Sequence, residues 1–172
     1  MNPSPISAGA FADTKPHYHL LDGLRGVAAL VVICFHIGED FATNSLTHYF
    51  SHGYLAVDFF FMLSGFVIGY AYDDRRNSMS VGSFIKRRVI RLHPMVIVGA
   101  LFGAVMFYGQ GSEYLNVKSV SLALLAFATL LNMLLVPAWS GVEVRGFGEI
   151  FPLNGPAWSL FFEYIANLLY VL

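Results

Sequence analysis

Residues 21–38, LDGLRGVAALVVICFHIG, form an apolar run long enough for a membrane helix that nevertheless carries Asp22, Arg25 and His36. The eleven-residue step from Arg25 to His36 is about three helical turns, so both side chains are expected on one face. Ionisable groups at membrane depth are costly and usually face a protein interior or a watery cavity. The run therefore predicts a polar stripe that lines a site. The alternative is that Asp22 and Arg25 lie at the membrane surface and His36 is a packing residue.

The composition is that of an integral membrane protein. Of the 172 residues, 56% are hydrophobic and only 12% are charged, whereas a soluble domain has about 25% charged residues. The net charge of −1 gives no reason to expect a nucleic-acid partner. Cys34 is the single cysteine, so the sequence predicts no internal disulfide and no cysteine metal cluster. No metal cofactor is expected.

Further apolar runs predict an all-α, polytopic transmembrane helix bundle of about five spans, with the lipid bilayer as its surroundings. These runs cover residues 54–72, 90–108, 119–137 and 156–172. Residues 1–19 are polar and broken by prolines, which predicts an N-terminal tail, and residues 20–172 are expected to form the membrane domain. A spanning helix needs about 20 residues, so the fifth helix is expected to continue past Leu172 in a longer protein.

Residues 73–92, DDRRNSMSVGSFIKRRVIRL, predict a basic connector between the second and third spans. The connector holds six of the ten Lys and Arg residues, so the positive-inside rule predicts that it and the N-terminus are cytoplasmic. Residues 109–118 are then an outer loop and residues 137–155 an inner loop. Within the basic connector, four cations lie close together in the sequence: Lys86, Arg87, Arg88 and Arg91. Arginine suits bidentate phosphate binding, so one interpretation is that these cations bind a phosphorylated cofactor. The alternative is that they only set the membrane topology and contact lipid head groups.

Two carboxylates fall inside the predicted spans. Asp58 precedes Gly65 by seven residues and is expected on a face that packs closely against another helix. A carboxylate there calls for a partner, for which His36 or an arginine is the natural candidate. Glu163 lies about two turns into the fifth run and shares a face with Ser159. A structural ion pair with a neighbouring helix is the alternative to a catalytic role for Glu163.

Four blocks, in order along the chain, resemble the acyltransferase 3 family of integral membrane acyltransferases, which modify bacterial surface polysaccharides and other acceptors. The blocks are LDGLRGVAALVVICFH at 21–36, VDFFFMLSGFVI at 57–68, FIKRRVIRLHP at 84–94 and WSLFFE at 158–163. The resemblance covers nearly all of the chain except the tail and corresponds to about the first half of a module of roughly ten helices. We therefore expect residues 1–172 to be inactive alone.

The resemblance implies transfer of an acyl group, commonly acetyl, from acyl-CoA inside the cell. The acceptor it implies is a carbohydrate or lipid-linked hydroxyl, and the location is a bacterial inner membrane. By position, it assigns Arg25 and His36 to the acyl-transfer site, Arg88 and Arg91 to the donor, and Glu163 to an acidic position of the last block.

The chemistry of such a transfer predicts the roles of these side chains. Making an ester from a thioester needs a base for the hydroxyl proton, and histidine is the usual base near neutral pH. We predict that His36 is this base or, alternatively, a transient acyl carrier. Asp58 or Glu163 is expected to orient His36. Arg25 is expected to hold charge near the donor, whose coenzyme A phosphates would lie against residues 86–91.

Two other classes of membrane protein fit the same buried polar groups. A transporter or ion channel would use them as a proton or ion path and would move ions across vesicles without coenzyme A. A haem protein would need a second histidine besides His36 inside the spans. The remaining histidines, including His93, are expected at edges or in loops.

Overall fold

The computed structural model describes residues 16, 18–41, 49–75, 79–114 and 120–171. Within these ranges the secondary structure is helical and contains no strand, which confirms the all-α prediction. The α-helices are α1 His19–Phe41, α2 Leu55–Tyr72, α3 Val81–Tyr114, α4 Leu122–Met133 and α5 Ala157–Val171. Most of the predicted tail and loop residues 42–48 and 115–119 lie outside the described residues.

Three of the helices are long and apolar enough to cross a membrane. The candidate spans are His19–Glu39, Leu55–Tyr72 and Val81–Gln110, whereas α4 and α5 are shorter apolar helices. Large apolar side chains such as Leu30, Ile33 and Phe102 are exposed on these helices. A helix that is apolar on all sides is expected in a bilayer, so the chain is an integral membrane protein.

The first of two compact units contains α1 and α2, which form an antiparallel hairpin. Near the start of α1, Tyr18 packs edge-on against Phe66 and Tyr70 in the last turns of α2. At the other end, Phe35 packs edge-on against Tyr54, which directly precedes α2. The two helices are thus joined by aromatic contacts at both ends.

The close packing expected around Gly65 is not formed within this unit. A Cβ atom on Gly65 would meet no atom within 4 Å among the described residues, and Asp58 is exposed. The buried apolar residues of α2 are instead Leu63 and Ile68. The spacing of Asp58 and Gly65 therefore marks an open face of α2 in this unit.

The second unit is organised by one buried stripe along α3. Its most buried side chains are Phe84, Arg88, Val96, Ala100 and Phe107. They are separated by multiples of three or four residues, or by sums of the two, as expected for one helix face. The stripe is apolar except for the charge of Arg88.

The basic residues 86–91, predicted in a connector, belong instead to the first turns of α3. The helix begins at Val81, and the Oγ atom of Ser80 accepts a hydrogen bond from the Ser83 N–H at 3.3 Å, as an N-cap does. Pro94, near the start of the third predicted run, consequently lies in the helix interior, where its ring removes one backbone donor.

Helices α4 and α5 both run antiparallel to α3 and pack against successive parts of it. Leu125 of α4 clusters with Phe107 in the second half of α3. Tyr170, near the end of α5, packs its ring against Phe84 near the start of α3. Helix α4 therefore covers the C-terminal half of α3, and α5 covers the N-terminal half.

The end of α4 and the start of α5 meet at the middle of α3. Val96, Leu135 and Ala157 belong to one buried cluster, while Val144, in the segment between the two helices, packs with the cluster around Phe107. These contacts favour a different arrangement from the inner loop expected at residues 137–155. These residues lie along the half of α3 opposite to its basic residues, and α4 and α5 form one discontinuous helix.

The break after α4 is made by a left-handed residue. Leu135 has φ 53°, the Val136 N–H donates to the Leu131 carbonyl at 2.9 Å, and the Leu135 N–H donates to the Asn132 carbonyl at 3.1 Å. This pair of bonds is a Schellman motif, which usually has glycine at the left-handed position. A non-glycine residue there costs roughly 1–2 kcal/mol, which burial of the Leu135 side chain offsets.

The segment between α4 and α5 is held directly against α3. A Cβ atom on Gly103 would overlap the backbone carbonyl of Leu153, so glycine is needed for this approach. Asn132 fixes the same backbone, because its Oδ1 atom accepts a hydrogen bond from the Leu153 N–H at 3.3 Å. Non-helical backbone at membrane depth is tolerated where it is buried against protein in this way.

Candidate active site

Helix α1 carries an ion pair near its start and a second polar pair near its end. Arg25 Nη1 lies 3.0 Å from Asp22 Oδ1, with both side chains partly exposed. His36 Nδ1 lies 3.1 Å from Glu39 Oε2. Each pair is three residues apart and so shares one side of the helix. The ionisable groups of the predicted polar stripe are thus paired locally along α1.

The contact between His36 and Glu39 has the geometry of a base and its orienting carboxylate. With the proton on Nδ1, the ring donates to Glu39 and leaves Nε2 as a proton acceptor. The His36 side chain is 51% exposed in this unit. Asp58 or Glu163 was expected in the orienting role; among the described residues, Glu39 is the carboxylate that the structure places on His36.

Glu39 is the functional candidate that the sequence analysis missed. The apolar run ends at Gly38, so hydropathy gives no reason to include Glu39 in the first helix. The helix in fact continues to Phe41. The available signal was the three-residue spacing from His36, which pairs side chains only when both residues are helical.

In the second unit, Arg88 of α3 and Glu163 of α5 form a largely buried ion pair. Arg88 Nη2 donates to Glu163 Oε1 at 2.9 Å, and the two side chains are 4% and 19% exposed. An ion pair with a neighbouring helix is the alternative to a catalytic role that the sequence leaves open for Glu163, and the contact is compatible with either role. It links two candidates that the sequence analysis assigned to different roles.

The four predicted donor-binding cations of α3 differ in their exposure. Arg88 is buried against α5, while Lys86, Arg87 and Arg91 are exposed. Arg87 and Arg91 are four residues apart and share one side of α3. Arg87 and Arg91 are therefore exposed on the surface of α3, whereas Arg88 contacts Glu163 of α5.

A cleft of about 390 Å³ runs between α3 and α5 and reaches the end of α4. This volume lies within the range of roughly 300–1,000 Å³ that small-molecule sites occupy. The lining on α3 extends from Phe84 to His93, which is about 14 Å along the helix axis. Most lining side chains are apolar, and the polar ones are Arg88, His93, Tyr164 and Asn167. The cleft is thus elongated and apolar, with few polar groups.

His93, expected at an edge or in a loop, lies inside α3 and lines this cleft. Its Nδ1 atom is 3.4 Å from the hydroxyl of Tyr164, and the two rings pack edge to face. The partner lies 71 residues away in the sequence, so no local spacing could have identified this pair. Within the described ranges, no group of three or more His, Cys, Asp or Glu residues could hold a metal ion.

Comparison with known proteins identifies the class. The chain matches, over residues 18–172, the model of a family described as an acyltransferase domain, and it belongs to that family. It is 36% identical over 160 residues to protein 2 in the picA locus of Rhizobium radiobacter, which covers 88% of this chain and 79% of that protein. It is 32% identical over 160 residues to the acyltransferase MdmB of Streptomyces mycarofaciens, which covers 88% of this chain and 38% of the relative.

A third relative is a Staphylococcus aureus (strain COL) protein named as an O-acetyltransferase. It is 39% identical over 82 residues, which are 45% of this chain and 12% of that protein. The chain thus spans well under half the length of the second and third relatives. No solved structure matches this chain. The family resemblance of the four sequence blocks is confirmed, and the enzyme class of the family is acyltransferase.

Proposed function

We propose that this protein transfers an acyl group, most simply acetyl, from acyl-CoA to a hydroxyl of a carbohydrate or lipid-linked acceptor. We place it in a bacterial inner membrane with its N-terminus in the cytoplasm, on the basis of the basic residues in the first turns of α3. Membership of the acyltransferase family supports the reaction class. The observation that carries the proposal is the contact between His36 and Glu39 on a membrane helix.

In the proposed reaction, the oxygen of the acceptor hydroxyl attacks the thioester carbonyl while the Nε2 atom of His36 takes the hydroxyl proton. The tetrahedral intermediate collapses, the carbon–sulfur bond breaks, and the coenzyme A thiolate takes the proton from the imidazolium. Glu39 holds the Nδ1–H and stabilises the imidazolium charge. Arg25, paired with Asp22, supplies positive charge in the same helix for the anionic donor.

The exposed cations of α3 are proposed to bind the donor phosphates. Arg87 and Arg91 lie one turn apart, an arrangement that suits bidentate contacts with phosphate oxygens, and Lys86 adds a third charge. Arg88 is proposed to act indirectly, because its guanidinium is engaged with Glu163. This assignment predicts that loss of Arg87 or Arg91 raises the KM for the donor with a smaller effect on kcat.

The test compares His36→Ala and Glu39→Gln with the wild-type protein in native membranes that contain the acceptor. The rate of free thiol release from acetyl-CoA is expected to fall at least a hundredfold in His36→Ala, as for loss of a general base. Glu39→Gln keeps the shape but not the charge, so an intermediate loss is expected. The control is His52→Ala, an exposed histidine of the same unit, which should keep wild-type activity. Undiminished thiol release by His36→Ala would reject the proposal.

A further inference from the structure

A histidine and a tyrosine form a polar pair inside the cleft between α3 and α5. The His93 Nδ1 atom lies 3.4 Å from the Tyr164 hydroxyl, and both side chains line the cleft and are partly exposed. The other polar lining residues, Arg88 and Asn167, are buried, with 4% and 3% exposure. The polar surface that side chains present to the cleft therefore comes mainly from His93 and Tyr164.

The pair keeps one hydrogen-bond donor and one acceptor unused, whichever way its own bond runs. If the Tyr164 hydroxyl donates to Nδ1, the neutral ring carries its proton on Nε2 as a donor, and the tyrosine oxygen is an acceptor. If Nδ1–H donates to the tyrosine oxygen, the hydroxyl proton is the unused donor and Nε2 is the unused acceptor. Among the described residues, the structure gives neither side chain another hydrogen bond. In apolar surroundings such groups are destabilising unless a partner satisfies them.

Apolar surface lies on both sides of this pair along the cleft. On α5, Phe161 lies about one turn before Tyr164, and Leu168 lies about one turn after it. The cleft volume of about 390 Å³ corresponds to roughly a dozen non-hydrogen atoms, at about 30 Å³ for each water-sized group. The ligand that fits is an apolar chain of about this size, with its polar group within the chain rather than at one end.

We propose that the cleft binds an apolar chain with a secondary hydroxyl group, which the pair of His93 and Tyr164 recognises. A hydroxyl donates and accepts at one oxygen atom, which matches a donor and an acceptor on two adjoining side chains. A ketone only accepts, and a hydrocarbon chain leaves both groups without a partner. An amide directs its N–H and its carbonyl to opposite sides of the planar group, so one amide does not fit both. The site lies within the second unit and requires neither His36 nor coenzyme A, so the inference goes beyond the proposed function.

The test uses photolabelling of the protein in lipid nanodiscs. The probe is dodecan-6-ol with a diazirine at one end of the chain, and mass spectrometry is expected to find the label on the cleft residues of α3 and α5. Dodecan-6-ol, dodecan-6-one and dodecane without the diazirine then compete at equal mole fractions in the bilayer, which removes differences in partitioning. The alcohol is expected to compete roughly three- to tenfold better than the ketone, as for one hydrogen bond, and better still than dodecane.

Variants then test the two side chains. Tyr164→Phe keeps the ring but removes the hydroxyl, so the alcohol should lose most of its advantage over the ketone, while competition by dodecane stays unchanged. Tyr108→Phe removes an exposed hydroxyl of α3 outside the cleft lining and should behave as the wild type. If the wild-type cleft is not labelled, or if dodecane competes as well as the alcohol, the proposal is wrong. If the alcohol keeps its advantage in both Tyr164→Phe and His93→Phe, another group binds the hydroxyl and the assignment to this pair is overturned.

Discussion

Arg88 carries its charge into the interior of the second unit, where Glu163 compensates it at 2.9 Å. Taking either charge out of water is costly, and the cost is offset only while both partners are present. The pair joins α3 to α5 beside the cleft. Loss of activity after mutation of either residue is therefore insufficient to prove a catalytic role, since the packing of α5 would change as well.

A double-mutant cycle separates these effects. We expect Arg88→Met alone to lower the free energy of unfolding by about 3 kcal/mol, because it leaves a largely buried carboxylate without this partner. The double variant Arg88→Met/Glu163→Met should recover most of that loss. Unfolding in mixed detergent micelles measures both values, with exposed Arg87→Met as a control expected to change stability by less than about 1 kcal/mol.

The cycle also tests whether Glu163 is catalytic. If the double variant regains stability but not acyl transfer, Glu163 takes part in the reaction; if it regains both, the ion pair is structural. Additive effects of the two single substitutions would contradict the coupling of Arg88 and Glu163.

Which site residues could be read from the sequence depended on the distance between partners along the chain. Arg25 and Asp22 are three residues apart, so helical spacing alone pairs them. Glu39 was missed because it follows Gly38, where the apolar run ends. Arg88 and Glu163 were both recognised as functional candidates, but 75 residues separate them. Their contact is created by the antiparallel packing of α5, which no local pattern encodes.

At the level of elements, the hydropathy pattern located the five α-helices of the described residues but placed the end of α4 too late. The apolar run continues through Leu134, Leu135 and Val136, so it predicts helix up to Pro137. The helix ends at Met133 because Leu135 adopts a left-handed conformation that leucine rarely takes. The pattern also predicts the start of α3 too late, because the first turns of this helix are basic and hydropathy detects only its apolar part.

The close contact between α3 and the segment that connects α4 to α5 leads to a second prediction. Gly103→Ala would place a Cβ atom on the Leu153 carbonyl, so helix and segment must separate. We expect a loss in the free energy of unfolding towards the upper end of the roughly 1–3 kcal/mol typical of overpacking. Gly109→Ala is the matched control, because a Cβ atom there meets nothing within 4 Å, and alanine favours helix by about 0.5–1 kcal/mol. Equal effects of the two substitutions in detergent unfolding would contradict the packing described here.

For the molecule as a whole, we expect the break to make α4 and α5 a single discontinuous crossing beside the long α3. Discontinuous membrane helices place backbone groups and cavities near the middle of the bilayer, where substrates of other membrane proteins bind. Here the cleft reaches the break, since Leu134 and Leu135 line one end of it. The basic residues of α3 lie at the other end of the crossing. A donor with its phosphates on those cations would therefore point its reactive end towards the break.

This arrangement makes a prediction about membrane sides. Ser140, in the segment between α4 and α5, is exposed and lies two residues from Val142, which packs with the cluster around Phe107. In a Cys34→Ala background, Ser140→Cys should therefore react with a membrane-impermeant maleimide from the same side as Tyr108→Cys. Ser83→Cys, at the basic end of α3, should react only from the opposite side.

Five complete spans would reverse the result for Ser140, because residues 137–155 would then form a loop on the side of the basic residues. Labelling of oriented vesicles before and after permeabilisation distinguishes the two arrangements. Each of the three positions is exposed on the protein surface, so a difference in labelling does not arise from burial inside the protein. If Ser140→Cys reacts together with Ser83→Cys, α4 and α5 are separate crossings, and the cleft cannot be a path from the basic end of α3 to the break.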